Sequence, residues 1–225
     1  MTTSTTGGRM RIWDSPVRLF HWALVALILL AYLTAEGVVF DMDVHVLAGE
    51  GVLTLIVFRF FWGLVGSDTA RFSQFVKGPG AAIAYLKAAR AGKHQAYLGH
   101  NPAGGLMVLL LMALAAAQAV TGLFSNDDVL TEGPLASLVS SSTSGTITEI
   151  HEFLFNLLMA AILLHIAAAF FYLIVKKDNL IRPMVLGVRP AIPGVTEPKF
   201  VNPLIAAALL AVAVGIVYGI VSLGG

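Results

Sequence analysis

The sequence contains no cysteine and little charge, and both absences narrow the class of protein. Without thiols the chain has no disulfides, thiolate metal sites, iron–sulfur clusters or covalently attached c-type haem. Only 12% of its residues are charged and 57% are hydrophobic, a balance too apolar for a soluble domain of 225 residues. The composition therefore predicts an integral membrane protein surrounded by lipid, and we expect no nucleic-acid partner.

Five apolar runs are each long enough to cross about 30 Å of hydrocarbon as a helix. They cover residues 17–39, 45–65, 102–124, 150–175 and 203–223. Residues 69–94 mix aromatic and basic side chains, which predicts a surface helix broken near Gly78. The Ser/Thr-rich stretch 136–148 is predicted to be a loop. The sequence thus predicts an all-α helical bundle that forms one membrane domain, residues 1–225.

Charge is distributed unequally between the connections. If the five runs alternate in direction, all 14 Lys and Arg residues fall on one side of the membrane and none on the other. The other side instead collects Glu36, Asp41, Asp43, Glu50, Asp127, Asp128, Glu132, Glu149 and Glu152. Because basic connections stay in the cytoplasm, we expect a multi-pass protein of the bacterial inner membrane with a cytoplasmic N-terminus and a periplasmic C-terminus.

Four of the six histidines stand at matched depths. His21 lies near the cytoplasmic start of the first span, His45 opens the second on the outer side, and His151 and His165 lie 14 residues apart on the fourth. Fourteen residues return to within about 40° of the same helix face after about 21 Å. A single histidine at a helix end is more often an interfacial hydrogen-bonding residue, and His94 is expected to be solvated.

The matched depths predict two non-covalent b haems. His45 with His151 would bind an outer haem, and His21 with His165 an inner one. Two axial imidazoles suit electron transfer because they fill the coordination sphere of the iron and leave no site for oxygen.

Four further residues are candidates at these sites. Gly49, one turn beyond the histidine of the second span, leaves space for a porphyrin or for close helix packing. Arg59 is placed to pair with a haem propionate or to extend to the cytoplasmic surface. His100 and Asn101 open the third span and form a candidate quinone site, with helix capping as the alternative.

Five motifs resemble the prokaryotic cytochrome b561 family, which is similar to the b-type cytochrome subunits of nickel–iron hydrogenases. They are RIWDSPVRLFHW (11–22), FRFFWG (58–63), GHNPAGGLMV (99–108), QAVTGLF (118–124) and the run from His151 through His165 to position 180. The resemblance covers residues 11–187 and implies a four-helix core with two b haems, ligand histidines in the first, second and fourth helices, and quinone as one electron partner. The last apolar run, within residues 199–225, is an addition to that core.

Together these observations predict a dihaem cytochrome that carries electrons between a quinone pool and a periplasmic redox partner, either a cytochrome or a dehydrogenase subunit. Two other classes remain open. One is a stand-alone superoxide:quinone oxidoreductase, which some family members resemble, although an acidic outer surface would repel superoxide. The other is a haem-free transporter or anchor subunit whose histidines conduct protons or bind a metal.

Overall fold

The computed structural model describes residues 8–93, 97–127, 131–192 and 194–225, so His94 and Asp128 lie outside the described residues. Within these ranges, five helices are long and apolar enough to span a membrane. The helices are α1 (Ser15–Ala35), α2 (Met42–Val65), α3 (Phe72–Phe75), α4 (Pro79–Arg90), α5 (Pro102–Gly122), α6 (Ser141–Ile174), α7 (Ile181–Leu186) and α8 (Pro203–Val221). The five spanning helices are α1, α2, α5, α6 and α8, which confirms the predicted five-span helical bundle.

Each spanning helix begins after a side chain that accepts a hydrogen bond from the first turn. Asp14 Oδ1 accepts from the backbone N–H of Val17 at 2.7 Å, and Asn101 Oδ1 accepts from that of Gly104 at 2.8 Å. The other caps are Asp41, Ser140 and Asn202. Proline occupies the first turn of α1, α5 and α8, where its missing N–H leaves no hydrogen bond unmade. These caps explain why the apolar runs begin as helices where they do.

The prediction of a loop over 136–148 is wrong for its second half. Residues 141–148 form the first turns of α6, which is 34 residues long. Ser140 caps this helix, and the hydroxyls of Thr146 and Thr148 donate to carbonyls four residues earlier. Ser and Thr are weak helix formers, but here their hydroxyls bond within the helix. At about 1.5 Å per residue α6 is about 51 Å long, so it extends well beyond a bilayer core.

The predicted surface segment consists of two helices, α3 and α4, separated at Gly78 as expected. Phe75 at the end of α3 packs on α5 at Gly105, where an added Cβ would stand only 2.7 Å from the Phe75 carbonyl. Tyr85 of α4 shares a hydrogen bond with Tyr172 near the end of α6. Burial, and then this hydrogen bond, raises the pKa of Tyr85. These contacts hold the surface segment on the bundle.

Helix α2 is the centre of the bundle. It packs against α1, α5 and α8, whereas α6 packs mainly against α5. One apolar cluster surrounds the fully buried Trp62, and a second includes Leu53 and Leu158. Ala213 of α8 is fully buried, so α8 is an integral part of the bundle. Two short strands, β1 (Arg9–Arg11) and β2 (Val188–Pro190), pair antiparallel and were not predicted.

The bundle has two chemically different ends, because its spanning helices alternate in direction. We call the end that carries His45 and His151 the acidic end, and the end that carries His21 and His165 the basic end. Hydrogen bonds join the segment after α8 to the loop that follows α5, and the segment before α8 to the loop that follows α2. Helix α8 therefore begins at the basic end and ends at the acidic end. All 14 Lys and Arg residues lie on segments of the basic end or, for Arg59, on the half of α2 nearest to it.

Candidate functional site

Two histidines from different helices face each other at the acidic end. The ring centroids of His45 on α2 and His151 on α6 are 6.3 Å apart, with an interplanar angle of 79°. A backbone carbonyl orients each ring: His45 Nδ1 donates to Ala31 at 2.8 Å, and His151 Nδ1 donates to Gln118 at 2.9 Å. Since Nδ1 carries the proton in both rings, each Nε2 presents a lone pair that is able to bind a metal.

Helix α5 holds the His151 ring closely. The Thr121 hydroxyl is 3.1 Å from His151 Nδ1, and the side-chain nitrogen of Gln118 is 3.0 Å from His151 Nε2. An added Cβ at Gly122 would stand 3.1 Å from the ring, so a larger residue there would move it. A metal at Nε2 would take the place of the Gln118 amide. The oxygen of that amide is buried without a partner among the described residues.

A second pair of rings faces each other at the basic end. The ring centroids of His21 on α1 and His165 on α6 are 6.4 Å apart, with an interplanar angle of 55°. The Trp22 ring lies edge-on to His21 at 4.9 Å. His21 Nδ1 is buried and has no hydrogen-bond partner in the described part of the chain. The structure thus brings together both pairs that the spacing predicted, and their role as ligands stays a prediction.

Both pairs have the separation that a metal ion between two imidazoles requires. The ion lies about 2 Å from each ring nitrogen, which itself lies about 1.1 Å from the ring centroid, so opposed rings have centroids about 6.3 Å apart. The observed separations are 6.3 and 6.4 Å. Across the described ranges, no three His, Asp or Glu side chains converge as a metal site. Two-ligand sites of this kind suit an iron whose other ligands come from a macrocycle.

The surroundings of the acidic-end pair also fit a porphyrin. An added Cβ at Gly49 would meet no atom within 4 Å among the described residues. Gly49 therefore borders open space and no closely packed helix, so a porphyrin would have room there. The residues present fit a haem at this position.

Arg59 is buried near the basic end and does not extend to the surface. Its side chain is only 2% exposed, its Nη2 donates to the carbonyl of Ala70 at 2.9 Å, and its guanidinium lies over the Phe72 ring. The buried carboxylate of Asp14 partly compensates its charge and also accepts from the Trp62 indole at 3.1 Å. Arg59 Nη1 has no partner within the described ranges, so one donor remains for an anionic group such as a propionate.

The two residues of the candidate quinone site have different environments. Asn101 uses its side-chain oxygen to cap α5, so the capping interpretation applies to it. His100 instead lies between the rings of Trp13 and Phe75, with centroid distances of 4.8 and 4.7 Å. His100 Nδ1 is buried and finds no hydrogen-bond partner among the residues described. Of the two residues, His100 offers the polar atom that is able to meet a ligand.

The protonation state of His100 follows from its position. Burial, and secondarily the positive charge of Arg59, lowers the pKa of His100 to about 3. The imidazole is therefore neutral at physiological pH and offers one N–H and one lone pair.

Sequence reasoning missed the residues that support these groups. Trp13 and Asp14 belong to the first motif, and the spacing of Asp14 from Pro16 is typical of a helix N-terminus. Gly122 belongs to the fourth motif, but neither it nor Phe75 has a spacing that predicts its role, because both roles arise from contacts between segments distant in sequence.

Five membrane-length helices with a facing imidazole pair near each end define a membrane electron carrier of the b-type cytochrome class. The chain belongs to the prokaryotic cytochrome b561 family, whose model matches residues 12–187. No curated protein and no solved structure matches the chain. Members of the family typically bind two b haems, and membership implies b-type cytochrome electron transfer, which argues against the haem-free alternative. Helix α8 lies beyond the matched residues.

Proposed function

We propose that this protein is a dihaem cytochrome b that transfers electrons between quinone at the basic end and a redox partner at the acidic end. His45 and His151 would hold one haem, and His21 and His165 the other. The observation that carries this proposal is the distance between the ring centroids within each pair, 6.3 and 6.4 Å. Helix α6 contributes one histidine to each pair. When bound, the haems supply one-electron chemistry.

The chain itself supplies orientation and charge. The carbonyls of Ala31 and Gln118 fix the tautomer of the acidic-end ligands. Arg59 Nη1 is the proposed donor to a propionate at the basic end, and Gly49 the proposed space for a porphyrin at the acidic end. These assignments rest on one free buried donor and one open position among the described residues.

The quinone would bind at His100. A neutral imidazole that lies between two aromatic rings, with a buried nitrogen lacking a partner in the described chain, suits a flat ring that bears carbonyl oxygens. Asn101 would act indirectly, by fixing the start of α5 beside His100.

We further propose that the basic end faces the cytoplasm of a bacterium and the acidic end the periplasm, as the positive-inside rule requires. The partner at the acidic end would be a cytochrome or dehydrogenase subunit with a basic contact surface. Exposed carboxylates at that end, including Asp41, Asp43, Glu149 and Glu152, disfavour the approach of superoxide, so the superoxide:quinone oxidoreductase alternative has less support.

The haem assignment is tested by counting haems in purified variants. His21→Ala and His165→Ala are each expected to remove one haem of two, and the same one. His45→Ala and His151→Ala should each remove the other. His100→Ala is the matched control for loss of a histidine and should keep both haems. Retention of two haems in any of the four ligand variants would contradict the assignment.

The quinone assignment is tested separately with a short-chain quinol that reduces the haems. His100→Ala should retain both haems but slow their reduction by quinol by about tenfold or more, the effect of losing a hydrogen bond to the ligand together with its packing. Reduction by dithionite should not change. An unchanged rate with quinol would reject His100 as the site and leave the haem assignment intact.

A further inference from the structure

Four basic side chains come together where α4 meets the end of α6. Lys176 Nζ donates to the backbone carbonyl of Ala89 at 3.3 Å, which places the last turn of α4 beside the end of α6. That turn carries Lys87 and Arg90, and Lys177 follows Lys176 along the chain. We call these four residues the α4–α6 basic cluster.

Among the described residues, no carboxylate forms an ion pair with this cluster. Asp178, the acidic residue nearest to it along the chain, pairs with Arg189 instead. The other ion pair in the described part of the chain joins Arg71 to Asp68, in the loop after α2. Three of the four cluster residues are exposed. Because like charges repel, an anion from outside the chain would stabilise the cluster.

The cluster lies at the depth of the lipid phosphates. Residues 153–175 of α6 contain no Asp, Glu, Lys or Arg, so Lys176 and Lys177 are the first charges after the apolar run. Such charges mark the level at which the hydrocarbon core meets the head groups. The hydrogen bond from Lys176 brings the last turn of α4 to the same level.

The surfaces beside the cluster are apolar and exposed. Ile83 and Leu86 are 53% and 56% exposed, and their spacing from Arg90 places all three on one face of α4. Ile174 and Val175 at the end of α6 are both 60% exposed. Cations next to exposed apolar side chains suit a phosphate that carries acyl chains, whereas a soluble anion would use the charges alone.

The backbone of Lys177 adds a second, independent observation. Its φ is 57°, in the left-handed region, and it lies directly after α6, where the N–H of Asp178 donates back to the carbonyl of Tyr172 at 3.0 Å. Helices often end with a left-handed residue, and that residue is usually glycine. A lysine is strained in this conformation, and strain of this kind is concentrated at ligand sites.

We propose that the α4–α6 basic cluster binds the phosphate of an anionic phospholipid such as phosphatidylglycerol. The acyl chains lie against the exposed apolar side chains of α4 and α6. The bound lipid holds α4 on the bundle, together with the hydrogen bond between Tyr85 and Tyr172. This site is separate from the proposed haem and quinone sites and does not depend on them.

The test is native mass spectrometry of the protein purified with its cofactors in detergent. The protein is titrated with phosphatidylglycerol or with phosphatidylcholine that has the same acyl chains. Phosphatidylglycerol should bind with a Kd at least about tenfold lower, because several cations face its unneutralised phosphate. An excess of sn-glycerol 3-phosphate, which lacks acyl chains, should not displace it. Equal affinity for the two lipids, or displacement by the free phosphate, would overturn the proposal.

Charge variants locate the site. Arg90→Gln and Lys177→Gln should each weaken the binding of phosphatidylglycerol by about fivefold, the effect of one cation at a membrane surface. Arg9→Gln and Lys199→Gln are the matched controls, since both residues are exposed cations of the basic end outside the cluster. These controls should leave the Kd unchanged. Equal weakening in all four variants would assign the binding to the general charge of this end and reject the site.

Lys177→Gly separates lipid binding from a purely structural role. It should raise the thermal transition measured without lipid, because glycine adopts a positive φ without strain, and it should also weaken phosphatidylglycerol binding by about fivefold. Lys177→Gln keeps the strain, so it should weaken binding without raising the transition. Unchanged affinity in Lys177→Gly would contradict the proposal, and its raised transition would show that the variant is folded.

Discussion

The buried charges of Asp14 and Arg59 are expected to stabilise the basic end, where they attract each other without forming a salt bridge among the described residues. The two side chains are 3% and 2% exposed, so neither charge is solvated by bulk water. Asp14 caps α1 and accepts from the Trp62 indole, and its charge compensates that of Arg59. Asp14→Asn keeps one acceptor oxygen for the cap but turns an amide N–H towards the indole N–H and leaves Arg59 without a counter-charge.

Asp14→Asn leaves the buried Trp62 indole N–H without an acceptor, and we expect it to cost about 1 to 3 kcal/mol. Arg59→Met should cost a similar amount, because it leaves the carboxylate uncompensated. The double variant should be less destabilised than the sum of the two by about 0.5 to 3 kcal/mol. Unfolding in detergent, followed by tryptophan fluorescence and haem absorbance, measures all three free energies.

A matched control is the partly exposed ion pair of Asp178 with Arg189, whose side-chain atoms are 3.5 Å apart. Asp178→Asn removes a charge of the same type at the same end but should cost at most about 1 kcal/mol, since Asp178 remains accessible to water and the contact is long. Additive effects of Asp14→Asn and Arg59→Met would refute the reasoning, because they would show that the two charges do not interact.

Four other outcomes follow from the structure. Gly122→Ala should displace the His151 ring, because the nearest ring atom would be 3.1 Å from the new Cβ. The electron paramagnetic resonance signal of the acidic-end haem alone should then change. Gly145→Ala, with no described atom within 4 Å, is the control. Gly49→Phe should reduce haem content by filling open space, and Gly49→Ala should not. Tyr85→Phe should cost about 1 kcal/mol through the lost hydrogen bond and hasten proteolysis of α4, and unchanged cleavage would contradict this role. Potentiometric titration should give the basic-end haem the higher midpoint potential, because a buried Arg59 lies at that end and carboxylates lie at the other; equal or inverted values would contradict this reasoning.

The helices and their facing histidines could be predicted because both depend on periodicity. Apolar runs of membrane length identify the spans, and a 14-residue spacing places His151 and His165 on one face of α6. The pairing of depths then selects His21 and His45 as their partners. None of these steps requires knowledge of which side chains touch.

Contacts between distant segments could not be predicted in the same way. The Ser/Thr-rich stretch before His151 has weak helix propensity, yet hydroxyl–carbonyl bonds continue α6 through it. Arg59 was equally compatible with the surface and the interior. Its burial depends on α3, which brings Phe72 over the guanidinium, and on the carbonyl of Ala70.

A haem at the basic end would have a higher reduction potential than a haem at the acidic end. Two independent features of the chain contribute to this difference. At the acidic end the Nδ1 protons of His45 and His151 are held by carbonyls, which would make each imidazole a stronger donor to a bound iron and favour its oxidised state. Carboxylates flank the same two histidines. At the basic end His21 Nδ1 has no acceptor among the described residues, and Arg59 contributes a buried positive charge. Ligand basicity and charge would both make the haem at the basic end easier to reduce, so their effects add. Neutralising the carboxylates alone should therefore narrow the difference in midpoint potential between the two haems without removing it.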